Sequence, residues 1–185
     1  MTEGHSKREL SEQFATDLVY FNFVRLAQTY GSNPAKDQDK INPQMLPLLN
    51  GGERTLRVLV PSVNPDQKHK DFISGVDHGD KTIKIFYRKG HFAAHVRLEL
   101  NPKTNSAKMI TENSYKATRV GDEEDSHTFD PVDKSKNKPD IYEILELLDR
   151  ARHILLEEQR QEFEERHNKP KLSVRQKLVK KLEGK

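Results

Sequence analysis

Two histidines, His91 and His95, lie just after a predicted hairpin turn in the segment YRKGHFAAHV, residues 87–96. Histidine binds metal ions and acts as a general acid or base near neutral pH. Residues 91–100 alternate between apolar and polar side chains, which predicts a strand. Side chains four residues apart on a strand lie about 13 Å from each other, so these two cannot bind one metal ion. The pattern favours two histidines on the exposed face of a sheet.

A second group of polar side chains occurs in the segment VDHGD, residues 76–80. Asp77, His78 and Asp80 could supply ligands to a hard cation, but their spacing matches no complete calcium loop, and no closing glutamate follows. Asp and Gly are also the residues expected in a turn before a strand. The four acidic residues at 122–125 fall in a polar stretch that predicts a solvated loop. The sequence therefore predicts no metal site and no cofactor.

Several familiar reaction types lack their residues in this sequence. There is no cysteine, which excludes disulfides, thiolate metal sites and cysteine nucleophiles. The phosphate-binding patterns GxxxxGK[ST] and GxGxxG, the metalloprotease pattern HExxH and the hydrolase pattern GxSxG are all missing. The sequence leaves an enzymatic role open and favours a protein that is not an enzyme.

Composition places further bounds on the fold and the location. Hydrophobic residues make up 33% of the chain and charged residues another 33%, so a core requires the apolar residues to be concentrated in part of the sequence. No apolar run approaches the roughly 20 residues of a membrane-spanning helix. The N-terminal segment MTEGHSKREL lacks the apolar stretch of a secretory signal. We therefore expect a cytoplasmic protein, or one delivered into a host cell without a signal peptide.

The order of patterns along the chain predicts an α+β fold. An N-terminal helix, with Ser6 as its cap, is expected to pack through Leu10, Phe14, Leu18, Phe21 and Val24. A four- to five-stranded antiparallel meander follows. The predicted strands are 55–60, 81–87, 91–100, 106–111 and 114–120, and residues 63–80 are predicted to form a long connection.

The sequence predicts four regions. Residues 1–120 form the α+β core domain, 121–139 an acidic and polar linker, 140–168 a long amphipathic helix, and 169–185 a basic amphipathic helical tail. Asp140 caps the long helix, whose apolar stripe fades after Leu156. The tail has seven Lys and Arg against one acid, a net charge of +6 within a chain of net charge +3. The residues predicted to bind a partner are Phe163, Lys169, Lys171, Arg175, Lys177, Lys180 and Lys181.

The segment KTIKIFYRKGHFAAHV contains a strand, a tight turn and Gly-His-aromatic at the start of the next strand. In this it resembles the second half of papain-like cysteine proteases, and most of all the ovarian-tumour type of deubiquitinase, over residues 55–98. The resemblance implies that His91 holds the position of the general base and Phe92 that of the aromatic residue after it. The chain departs from the family in lacking the cysteine nucleophile.

Two functions remain as hypotheses. The first is a non-catalytic intracellular interaction protein whose long C-terminal helix and basic tail bind a protein or an acidic partner. Nucleic acid is a further candidate for the tail, although the tail has no aromatic residue for base stacking. The alternative is an inactive or partial protein of the papain-like protease fold. The glutamate-rich run at 157–165 is similar to the C-terminal translocation signals of some bacterial type IV secretion effectors, so this alternative includes a secreted effector. The sequence leaves the oligomeric state open.

Overall fold

A computed structural model of the chain describes residues 11–31, 53–63, 70–121 and 126–168 of the 185. The chain divides into two units, residues 1–153 and 154–185. The described elements are α1 (Glu12–Tyr30), β1 (Arg54–Val60), β2 (Asp71–Asp77), β3 (Thr82–Lys89), β4 (Phe92–Asn101), β5 (Ser106–Arg119), β6 (His127–Val132) and α2 (Ile141–Asn168).

The strands form one six-stranded antiparallel sheet in which every strand pairs with its neighbours in sequence, in the order β1 to β6. The α+β class, the N-terminal helix, the antiparallel meander and the C-terminal helix are confirmed, with six strands where four to five were predicted. The predicted long connection at residues 63–80 is wrong, because its second half is β2. Strand β6 lies within residues 121–139, for which the sequence predicts a linker.

Helix α1 packs on one face of the sheet, which we call the helix-covered face. Its N-terminus is fixed by Ser11, whose hydroxyl accepts a hydrogen bond from the amide of Phe14 at 3.2 Å. Further along the helix, Phe23 is fully buried against Gly75 of β2. The side chains of Gln13 and Asp17 bond the backbone carbonyl and amide of Ala107, at 2.9 and 2.7 Å. These bonds tie α1 to the first half of β5.

The predicted apolar stripe of α1 is wrong. Phe14 and Phe21 are 50% and 41% exposed, whereas the buried face is one position away on the helix. The buried apolar residues are Ala15, Val19, Tyr20, Phe23, Leu26 and Ala27. The predicted cap, Ser6, lies outside the described residues.

The first half of α2 packs on the same face as α1. Asp140 caps the helix as predicted, accepting a hydrogen bond from the amide of Tyr142 at 2.9 Å. Lys89 of β3 bonds Glu146 at 2.7 Å, and Arg150 lies 3.4 Å from Asp71, which is only 2% exposed. The core between the helices and the sheet contains Val19, Phe23, Leu56, Ile73, Ile83, Ile85, Tyr87, Leu98, Ile144 and Leu148.

In the second unit, every residue of α2 from Leu156 to His167 is exposed. The prediction that the apolar stripe fades after Leu156 is therefore confirmed. Phe163 is 62% exposed, and its ring stacks on that of His167 with a centroid separation of 3.9 Å. None of the described helices is long and apolar enough to cross a bilayer.

Candidate functional site: an aromatic and basic sheet face

The opposite face of the sheet bears six aromatic or imidazole rings, which we call the ring cluster. They come from five consecutive strands. Alternate side chains of each strand lie on the same face of the sheet, and residues paired between neighbouring strands lie next to each other on that face. Phe86 is directly opposite His95, for example, and Ala117 is opposite Phe129. The members of the ring cluster are Phe72, Phe86, His95, Tyr115, His127 and Phe129.

Phe86 lies at the centre of the ring cluster. Its ring centroid is 4.6 Å from that of His95, 5.4 Å from Phe129, 6.0 Å from Phe72 and 6.5 Å from Tyr115. These separations and the tilted or edge-on angles are those of favourable aromatic pairs. Small buried side chains, Ser74, Ala93 and Ala117, lie on the same face and leave room for the rings.

The sheet is curved toward the ring cluster. Strands β3 and β6 are separated by three strand spacings, about 14 Å in a flat sheet, yet the rings of Phe86 and Phe129 lie 5.4 Å apart. A bulge in the β4–β5 pairing, where Glu112 is the extra residue between Thr111 and Asn113, provides a bend. The ring cluster therefore lines a concave surface.

The rings are only partly buried. Phe129, on the edge strand β6, is 38% exposed, and the other five members are half-buried. Both helices of the first unit pack on the other face, as their bonds to Ala107, Lys89 and Asp71 show. Within the described part of that unit, no helix packs on the ring cluster.

Two basic side chains, Arg57 and Lys84, lie near the rings. The guanidinium of Arg57, an exposed residue of β1, lies 5.4 Å from the centroid of the Phe72 ring. Lys84 is on the same face of β3 as Phe86, two residues away. Glu99 and Glu112 both lie within 3.4 Å of the same arginine, Arg97, so one of their two negative charges is compensated.

Arg88, a buried residue of β3, contacts the ring cluster through His127. One guanidinium nitrogen lies 2.7 Å from Nδ1 of His127, while another donates to the carbonyl oxygen of Lys70. A guanidinium can only donate hydrogen bonds, so in this contact Nδ1 of His127 is the acceptor. The Arg88 contact spans the curvature from β3 to β6 and orients the His127 ring.

His95 is the one histidine of the YRKGHFAAHV segment that belongs to the ring cluster. Its Nδ1 lies 3.2 Å from the hydroxyl of Tyr115. Burial lowers the pKa of His95 below its ordinary value, and the nearby Lys84 lowers it further, while Glu112 acts in the opposite direction. The imidazole is therefore uncharged at neutral pH and packs as an aromatic ring beside Phe86, at an interplanar angle of 39°.

His91, the predicted base of the protease-like alternative, lies in the exposed β3–β4 turn. Among the described residues, its side-chain hydrogen-bond partner is the carbonyl oxygen of Ala117, at 3.4 Å from Nδ1. The structure places it outside the ring cluster. Phe92 follows it at the start of β4, with its ring 6.1 Å from that of Tyr87 on the helix-covered face. The family resemblance and the role it implies for His91 stay a prediction.

The VDHGD segment ends β2 and forms the turn before β3. Asp77 accepts a hydrogen bond from the amide of Gly79, and Asp80 accepts one from Thr82, both at 3.0 Å. His78 bonds Glu53 through Nδ1 at 2.7 Å, and its Nε2 is buried without a partner among the described residues. No group of three or more potential metal ligands occurs within the described segments.

The predicted partner-binding residues fall into two groups. Phe163 lies on the exposed second half of α2. Lys169, Lys171, Arg175, Lys177, Lys180 and Lys181 lie outside the described residues. The sequence analysis placed His91 and His95 on the exposed face of a sheet, and of these two only His95 belongs to the ring cluster. It missed the other members of the ring cluster. The signal available was the aromatic residue on the polar side of each alternating segment, as with Phe86 and Tyr115.

Comparison of the chain with protein-family models, with curated proteins and with solved structures gives no match.

Proposed function

We propose that this chain is a non-catalytic binding protein whose partner contacts the ring cluster. The observation that supports this proposal is the combination of half-buried rings and basic side chains on the sheet face opposite the helices. Exposed aromatic residues beside arginine are typical of binding surfaces, because they bury a large area at a small cost in side-chain entropy. A concave surface increases the area that a partner can cover.

The second half of α2 is a second candidate surface, and the basic tail follows it in the sequence. The observation that favours it is the 62% exposed ring of Phe163 on a stretch where all residues from Leu156 to His167 are exposed. A partner bound there would be a protein or an acidic molecule attracted by the tail, residues 169–185. We propose this surface as the alternative to the ring cluster.

Affinity capture with full-length variants separates the two surfaces. The variants are Phe129→Leu in the ring cluster, Phe163→Ala on α2, and a tail variant with Lys177, Lys180 and Lys181 changed to Gln. Each is used at low and high salt with a cell lysate, once untreated and once treated with nuclease, and a captured component is then purified and its affinity measured by calorimetry. We expect a partner whose affinity falls at least fivefold with Phe129→Leu and changes less than twofold with the other variants.

The opposite pattern would move the function to the second surface. If every purified partner binds Phe129→Leu as tightly as the wild type but loses affinity with Phe163→Ala or the tail variant, the proposal for the ring cluster is wrong. Far-UV circular dichroism and a thermal melt of each variant establish that a loss of affinity does not come from unfolding.

A further inference from the structure

We infer that the partner of the ring cluster is a single-stranded nucleic acid, RNA or DNA. This inference rests on the proposed function and names the chemistry of its ligand. Proteins that bind single strands combine aromatic side chains, on which bases stack, with basic groups that follow the phosphates. Antiparallel sheets that present aromatic residues on an open face provide such a platform. The ring cluster and its basic neighbours have both features.

The edge of the ring cluster offers a stacking surface. The rings of His127 and Phe129 are nearly parallel, with an interplanar angle of 25° and centroids 6.4 Å apart. Phe129 is the most exposed ring, and Arg88 fixes the orientation of His127 through Nδ1. A base that stacks here needs no particular sequence, because every base has an aromatic face. Bases within a duplex already stack on each other, so the ring cluster selects single strands.

The charges around the rings complement a polyanion. Arg57 lies beside Phe72 at the β1 side, and Lys84 lies near the centre without an ion pair among the described residues. Arg97 compensates one of the two charges of Glu99 and Glu112, so Arg57 and Lys84 leave this face with a surplus of one positive charge over these five side chains. A peptide that adds a strand to the sheet would bind the backbone of an edge strand and would not need the rings. The arrangement therefore favours phosphates beside stacked bases.

Fluorescence anisotropy of labelled oligonucleotides tests the inference directly. The probes are a 12-nucleotide pyrimidine RNA, the DNA of the same sequence and the corresponding DNA duplex, each titrated with the full-length chain. We expect both single strands to bind at least tenfold more tightly than the duplex.

Substitutions at Phe129 test base stacking. Phe129→Leu should weaken single-strand binding about tenfold, the typical effect of losing one stacked base. Phe129→Trp should keep the wild-type affinity, because tryptophan also presents an aromatic plane. Phe14→Leu is the matched control, since Phe14 is an exposed phenylalanine on α1. Equal affinities for Phe129→Leu and the wild type would overturn the inference.

Salt dependence tests the phosphate contacts. Each phosphate contact contributes about 0.7 to the slope of log affinity against log salt for a single strand, so changing Arg57 and Lys84 to Gln should reduce the slope by about 1.4. The control changes Lys103 and Lys116 to Gln and so removes the same charge. Both lysines are exposed; Lys103 lies in the β4–β5 turn, and Lys116 points to the helix-covered face of β5. Equal slopes for the two double variants would exclude a phosphate path over the ring cluster.

The outcomes also separate the inference from the proposed function. If no single strand binds, or if only the tail variant loses binding, the inference fails. If at the same time a purified protein partner still requires Phe129, the proposed function stands, with a protein as the ligand of the ring cluster. If neither a nucleic acid nor a protein depends on Phe129, both proposals fail.

Discussion

Replacement of Gly75 by Ala tests how closely α1 packs on the sheet. A Cβ atom on Gly75 would lie 2.3 Å from the carbonyl oxygen of Lys84 and 2.7 Å from Cζ of Phe23. Ordinary contacts begin near 3.4 Å, so about 1 Å of movement is needed, partly in the backbone of the neighbouring strand. Overpacking a core costs about 1–3 kcal/mol, and a clash with backbone belongs at the upper end. We expect Gly75→Ala to lower the free energy of unfolding by about 3 kcal/mol.

Urea denaturation followed by circular dichroism measures this change. Gly79→Ala is the matched control, because its Cβ would meet nothing within 4 Å and only the positive φ of 71° opposes the substitution, at a cost of about 1–2 kcal/mol. The double variant Gly75→Ala with Phe23→Leu should show coupling, since the shorter side chain removes one of the two clashes. A Gly75→Ala protein as stable as the Gly79→Ala control would refute this account of the α1 packing.

Two further predictions concern buried charge and titration. Asp71→Ala should destabilise the fold by about 3 kcal/mol, because it leaves the partly buried Arg150 without that carboxylate. The control Asp130→Ala, at an exposed site, should cost under about 0.5 kcal/mol. Equal losses of stability for the two variants in urea denaturation would contradict the role of the buried pair. The pKa of His95, measured by NMR in the folded protein, should lie below the ordinary value of 6.5. Below pH 6.5 the unfolded chain therefore binds more protons at His95 than the folded chain does. The free energy of unfolding should then fall as the pH drops from about 6.5 through the folded pKa. His95→Phe should remove that part of the pH dependence, and a His95 pKa above 6.5 would contradict the effect of burial.

The helix positions were predictable from the sequence, but the buried face of α1 was not. Two stripes with helical spacing exist on this helix, and the one with Phe14 and Phe21 has the larger apolar side chains. The sheet selects the other stripe because Ala15 and Ala27 permit a close approach and Phe23 fits over Gly75. The choice depends on the shape of the opposite surface, which hydrophobic periodicity does not contain.

The strands β2 and β6 escaped prediction for local reasons. Strand β2, with the sequence DFISGVD, contains the Gly and Asp residues expected of a loop, yet Gly75 lies under Phe23 and Asp71 is paired with Arg150. Strand β6 contains Pro131, which interrupts a strand pattern but is tolerated on an edge strand. The first exception results from contacts with residues distant in sequence, and the second from the position of β6 at the edge of the sheet.

The ring cluster could not be predicted, because five strands contribute to it and its rings meet only where the sheet curves. Its assembly depends on the registers between strands as much as on the residues themselves. A slip of one residue in β6 would present Thr128 or Asp130 to Phe86 where Phe129 now lies. The contact between Arg88 and His127 opposes such a slip, since it joins β3 to β6 across the concave face. The same contact therefore supports the register that the β5–β6 pairing gives the edge strand, and it holds the ring of His127 in place.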